Sequence, residues 1–218
     1  MKNFRLFGLV VSTALLVTQP LRADTMSGIP SAAEAPFVRA ATSYIASHFP
    51  TTRAAEKAGF VRYTNEDDTG AVSYANRQWT SADVAHPSQL WYDVHGRLLG
   101  ADYSVPHTDE TAPHLFGIDA ARWGVFHNHV HYGLVGPNGT VTYGAVGAKK
   151  ITAAGGDPAN PTPADLVKAG VAKSPDEVAF VFDFPAIWDL ALWVIPNPDG
   201  AFADKNPDVK PVHPAGSI

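Results

Sequence analysis

The chain has no cysteine among its 218 residues. That excludes a disulfide scaffold, a thiolate metal centre and a cysteine nucleophile. Charge is sparse as well: Asp, Glu, Lys and Arg make up 17% of the sequence, with 21 acidic residues against 16 basic ones. No Lys/Arg cluster interrupts this balance, so the surface field repels a phosphate backbone and the composition argues against nucleic-acid binding. Past the first two dozen residues no apolar run is long enough to span a bilayer as a helix. Wholesale disorder is excluded by a hydrophobic content of 45%, and the length suffices for one domain with its own core.

The first 23 residues carry an address. Lys2 and Arg5 precede an apolar stretch from Leu6 to Val17, and Leu21-Arg22-Ala23 forms a small-residue cleavage pattern before Asp24. The apolar core is too short for a membrane span and is followed by Gln19-Pro20, so residues 1–23 are expected to be a secretory signal peptide. Its removal takes three basic residues and no acidic one, which moves the formal charge from −5 to −8. The expected mature protein lies outside the cytoplasm, periplasmic or extracellular, with no membrane span.

Residues 24–35 are small and polar and read as a flexible lead-in to a single domain over 36–218. Phe37, Ala41, Tyr44, Ile45 and His48 recur at helical spacing until Pro50, and a short helix is expected from Thr52 to Lys57 before Gly59. The period then changes to two. Leu90–Val94 and Leu98–Val105 flank the turn His95-Gly96, and Val125–Val135 alternates strictly before Pro137-Asn138-Gly139 turns it into Thr140–Val146. Thr162-Pro163-Ala164-Asp165 is a helix start with a hydroxyl cap and proline at the first position. Val178–Phe184 and Trp188–Ile195 read as buried strands, the second being compatible with a helix by composition, and the proline-rich tail as an extended surface segment. The expected fold is α+β: an antiparallel sheet or partly closed barrel with the N-terminal helices packed on one side.

Three stretches carry a family likeness. Pro87-Ser88-Gln89-Leu90-Trp91-Tyr92 with Gly96-Arg97-Leu98-Leu99-Gly100-Ala101-Asp102-Tyr103 is the first, and Ala112-Pro113-His114-Leu115-Phe116-Gly117 the second. The third and most specific is Asn197-Pro198-Asp199-Gly200-Ala201-Phe202-Ala203-Asp204-Lys205-Asn206-Pro207. Together they resemble a family of secreted bacterial proteins with no assigned activity, and the resemblance implies secretion and a shared fold. The family often carries His where Ser73 stands and Glu where Asp102 stands.

The most informative passage is Trp123-Gly124-Val125-Phe126-His127-Asn128-His129-Val130-His131-Tyr132-Gly133. In one strand, alternate residues share a face, so His127, His129 and His131 are expected opposite a core face of Phe126, Val130, Tyr132 and Leu134. Neighbouring histidines are then about 7 Å apart at Cα and the outer two about 14 Å apart. Two of the three are therefore expected to ligate one divalent transition metal (zinc, copper or iron), imidazole being a common ligand for all three. Patterning on Leu98–Val105 leaves Asp102 opposite its apolar face, which nominates it as a further ligand, and His107 and His114 follow close behind. With an open coordination position such an ion acts as a Lewis acid or activates water. The alternative reading is a metal-free ligand-binding or surface-interaction protein, its groove lined by the 11 Phe, 7 Tyr and 5 Trp.

Other chemistry is thinly signalled. Glu66-Asp67-Asp68-Thr69-Gly70 lacks the calcium-loop pattern and reads as an acidic turn. Ser73, Ser81, Ser88 and Ser104 sit in no nucleophile elbow, so no catalytic residue is assigned. Asp183 and Asp189 fall inside apolar runs and need a partner such as Arg122. His48, His86, His95 and His213 read as structural or surface residues.

Overall fold

The computed structural model describes residues 27–213; the expected leader, 1–23, lies outside the described residues. Two helices open the domain, α1 (Ala35–His48) and α2 (Thr52–Lys57). Phe37, Ala41 and Ile45 bury one face of α1, as their spacing requires. Thr51 caps α2 by accepting from the Ala54 amide.

Nine strands follow: β1 (Val61–Arg62), β2 (Val72–Ala75), β3 (Gln89–Tyr92), β4 (Leu98–Pro106), β5 (Gly124–Phe126), β6 (His129–Val135), β7 (Val141–Gly147), β8 (Val178–Phe184) and β9 (Ile187–Trp193). Between β7 and β8 lie α3 (Ala148–Ala153) and α4 (Pro163–Lys168). The sequence assigns no helix to Ala148–Ala153, whereas α4 has the expected Thr162 cap, closed into a capping box by Asp165.

All pairings are antiparallel, in a six-stranded sheet ordered β1-β2-β3-β4-β9-β5 and a three-stranded sheet ordered β7-β6-β8. The fold is α+β with the N-terminal helices on one side. Of the two expected arrangements the structure has the antiparallel sheet, as two sheets among the described residues, neither of them closed into a barrel. The expected strand Val125–Val135 is also two strands, one in each sheet, because the chain leaves β5 at His127-Asn128 and crosses over. A second crossing, Pro185-Ala186, carries β8 into β9.

The layers follow from side-chain parity. Leu90, Tyr92, Ala101, Tyr103, Leu190 and Leu192 pack under α1. The opposite face of the large sheet meets the small one through Tyr63, Ala75, Ile187, Phe182 and Phe184. Val130, Val146 and Val181 turn outward onto Ile151 of α3 and Leu166 of α4. The tail covers the rest of the large sheet, where Val209 packs with Ala71, Leu99 and Trp193, and Glu66 accepts the Val212 and His213 amides at 2.7 and 2.6 Å. No described helix is long and apolar enough to cross a membrane.

The described part of the lead-in is tied down. Gly28 accepts from the Phe202 amide at 2.9 Å. Arg122 donates to the Ser27 and Ile29 carbonyls and to both carboxylate oxygens of Glu34. Arg122 therefore serves Glu34, and Asp189 instead accepts from the Ser104 hydroxyl at 2.8 Å.

Gly100 gives a test of the packing. A Cβ there would fall onto the Trp91 ring and lie 2.6 Å from the Leu192 carbonyl. Gly100→Ala is expected to lose about 1–3 kcal/mol by overpacking. Near-UV dichroism should report it too, because Trp91 is edge-to-face with Trp193 at 5.6 Å.

Candidate metal site

The cluster forms where the chain steps from β5 to β6. His127 stays outside both strands and is exposed. His129 opens β6 and His131 follows two residues later, so both rings point toward the large sheet while Val130 points into the α3/α4 core. The Nε2 atoms of His129 and His131 meet at 2.9 Å.

Each imidazole is held in place. The β6–β8 register sets His129 opposite Phe184 and His131 opposite Phe182, and the facing rings stack with centroids 4.5 and 5.6 Å apart. Tyr63 meets the His131 ring edge-on at 4.6 Å. Nδ1 of His129 lies 2.7 Å from the His127 carbonyl, which can only accept, so Nδ1 carries the proton and Nε2 presents its lone pair.

The His131 ring leaves one buried nitrogen unserved in either tautomer. Nδ1 of His131 is buried and has no hydrogen-bond partner. A proton on that Nδ1 leaves two Nε2 lone pairs facing each other. A proton on Nε2 makes a His–His hydrogen bond but leaves a buried Nδ1 lone pair unserved. A cation held by both Nε2 atoms would remove the facing lone pairs, with the His129 Nδ1–H on the His127 carbonyl and the His131 Nδ1–H still without an acceptor.

Among the described residues no group of three or more His, Cys, Asp or Glu side chains is placed to hold a metal ion, so no third such side chain joins His129 and His131.

Burial sets the electrostatics. Loss of hydration, with His129 as a second cause, holds His131 down to about 3 against the influence of Gly144. Burial also lowers His129, partly offset by the His127 carbonyl. Both rings are therefore neutral at physiological pH, the state a metal needs.

A pH prediction follows for the metal-free protein. The unfolded chain binds a proton at His131 near pH 6.5 that the folded chain refuses until about pH 3. The stabilisation from neutral His131 is complete above the upper value and is lost as the pH falls through that window. Chemical denaturation with a chelator present should show an acid-side loss steeper than in His131→Phe, by on the order of 1 kcal/mol per pH unit.

The other nominated residues lie elsewhere. Asp102 projects from the intended face of β4, but β4 and β6 belong to different sheets, so the ligand role expected from neighbouring strands is corrected. Its carboxylate accepts from the Trp91 indole at 2.6 Å. It belongs to a buried polar layer in which Tyr63 donates to Gln89, and Ser88, Ser104 and Asp189 form a chain of hydrogen bonds. Burial first, then the nearby Asp102 and Asp189, pushes the Tyr63 phenol well above its ordinary value. His107 lies against Trp188 at 5.0 Å, on the α1 side of the large sheet, and His114 is exposed in the loop after β4. Neither joins His129 and His131.

Sequence reasoning missed Tyr63, Phe182 and Phe184, which pack against the imidazoles, and Trp79, which packs on Phe184. Only the Phe-x-Phe-x-Phe alternation of β8 hinted at such a wall. No family profile, curated protein or solved structure matches this chain.

Proposed function

We propose that this is an exported protein that binds one divalent transition-metal ion between Nε2 of His129 and Nε2 of His131. The observation that carries the reading is their convergence at 2.9 Å, with the Nε2 lone pair of His129 turned toward His131. Stacking on Phe182 and Phe184 supports it, because rings fixed before the ion arrives lose little freedom on binding. Export rests on the leader pattern of Met1–Ala23. The imidazole pair suits copper, nickel or zinc and leaves coordination positions for an exogenous ligand.

The test is titration of tag-free, chelator-stripped protein with Cu(II), Ni(II) and Zn(II), followed by thermal unfolding. One equivalent of Cu(II) should bind and raise Tm, since a ligand at 100 times its Kd stabilises by about 2.7 kcal/mol. No uptake of any of the three ions overturns the proposal. It would leave the His129–His131 contact as a hydrogen bond inside a metal-free protein.

A further inference from the structure

We infer that the protein binds a small zwitterion of the α-amino-acid type in the cavity between α2, β2 and the turn joining β3 to β4, with Arg62 holding its carboxylate and Asp93 its ammonium group. Neither His129 nor His131 lines this cavity, so the inference stands apart from the metal reading.

The cavity is assembled from distant stretches of chain. Thr52 comes from α2, Arg62 from β1, Val72 and Tyr74 from β2, and the turn from Asp93 to Gly96 closes one side. Register fixes these walls: Arg62 stands opposite Tyr74, and a bridge between Thr51 and Arg97 pins α2 to the turn. Walls set by the fold before a ligand arrives lose little freedom on binding. The volume is about 210 Å³, the room of about seven waters at their share of liquid volume. That admits a ligand of a few heavy atoms and excludes a peptide or a nucleotide.

Charge selects the ligand. Arg62 and Asp93 bring opposite charges to one cavity without pairing with each other. Nε of Arg62 donates to the Thr64 carbonyl at 3.0 Å, and the guanidinium carbon lies 4.6 Å over the Tyr143 ring. Among the described residues no carboxylate pairs with Arg62, which leaves its two Nη groups for the fork that a carboxylate fills. Beside it, burial raises the Tyr74 phenol against the influence of Arg62, so the hydroxyl stays a neutral donor.

Asp93 supplies the other end. Its Oδ1 accepts the His95 and Arg97 amides at 2.9 Å each, which shapes the turn. Its Oδ2 accepts from Arg97 Nε at 3.2 Å, and the Arg97 side chain is 64% exposed, a pair of small worth. A carboxylate has about four acceptor positions, so one remains for an ammonium group. A simple anion leaves Asp93 facing it unmatched, and a simple cation does the same to Arg62. A zwitterion meets both.

The experiment titrates chelator-stripped protein with alanine, propionate and ethylamine, read by calorimetry and thermal unfolding. Alanine should bind saturably at one site. Propionate and ethylamine each lack one charge and should bind weaker by on the order of tenfold. Arg62→Gln and Asp93→Asn should each weaken alanine binding by a similar factor. Asn keeps the Oδ1 acceptor of the turn, so the ligand-free Tm of Asp93→Asn should stay near wild type. Arg62→Lys retains the charge without the fork and should bind better than Arg62→Gln, which separates a binding role from a structural one. No saturable uptake of alanine at millimolar concentration, propionate or ethylamine binding as tightly as alanine, or equal alanine binding in wild type and all three variants overturns the inference. Each of these outcomes leaves the metal reading untouched, because no metal is present in the experiment.

Discussion

Arg122→Ala is expected to lower the free energy of unfolding by about 3–5 kcal/mol, the cost of leaving a buried charge without its partner. Glu34 is 1% and Arg122 5% exposed, and the two meet through paired contacts of 3.1 and 3.2 Å. The same guanidinium holds the Ser27 and Ile29 carbonyls and lies over the Phe202 ring at 4.7 Å. One side chain thus joins the N-terminal segment, the turn before β5 and the C-terminal tail. Hydrogen bonds from Arg122 and from the Ser31 and Asp119 amides outweigh burial and hold Glu34 down to about 2, so the pair stays charged across ordinary pH. For a chain of this size the loss corresponds to a Tm lower by roughly 10 °C. The paired change Glu34→Leu with Arg122→Met should cost less than Arg122→Ala, because no lone charge remains. Denaturant unfolding of wild type and variants checks both statements.

The second large effect concerns the metal. His129→Ala and His131→Ala should each weaken Cu(II) binding by more than about a hundredfold, since each removes half of the ligands the chain supplies and second-shell losses alone reach that size. His127→Ala should stay close to wild type, because His127 contributes its backbone carbonyl and its ring is exposed. Asp102→Asn should act on stability rather than affinity, since its carboxylate serves Trp91. Isothermal titration of the four variants separates these outcomes. A severe effect at His127 with a mild one at His131 would contradict the assignment.

How much of this was legible depends on the range of each interaction. The helices α1, α2 and α4 are written locally, in the Phe37/Ala41/Ile45 spacing and the Thr51 and Thr162 caps. The shared face of His129 and His131 is equally local, because residues two apart on a strand point the same way. The break at His127-Asn128 left no mark: alternation continues through it, and neither residue is glycine or proline. That invisible crossing carried His127 out of the site. It also defeated the case for Asp102, since patterning assigns a residue to a face but not a strand to a neighbour. Glu34 and Arg122 stand 88 residues apart, and nothing local in either segment announces the other.

The central claim is that one cation is shared by two nitrogens, and EPR of the one-equivalent Cu(II) complex tests it most directly. The spectrum should show tetragonal copper with superhyperfine structure from two equivalent imidazole nitrogens, reduced to one nitrogen in either His129→Ala or His131→Ala at saturating copper. A wild-type spectrum with no imidazole coupling, or one unchanged by both substitutions, would contradict the account.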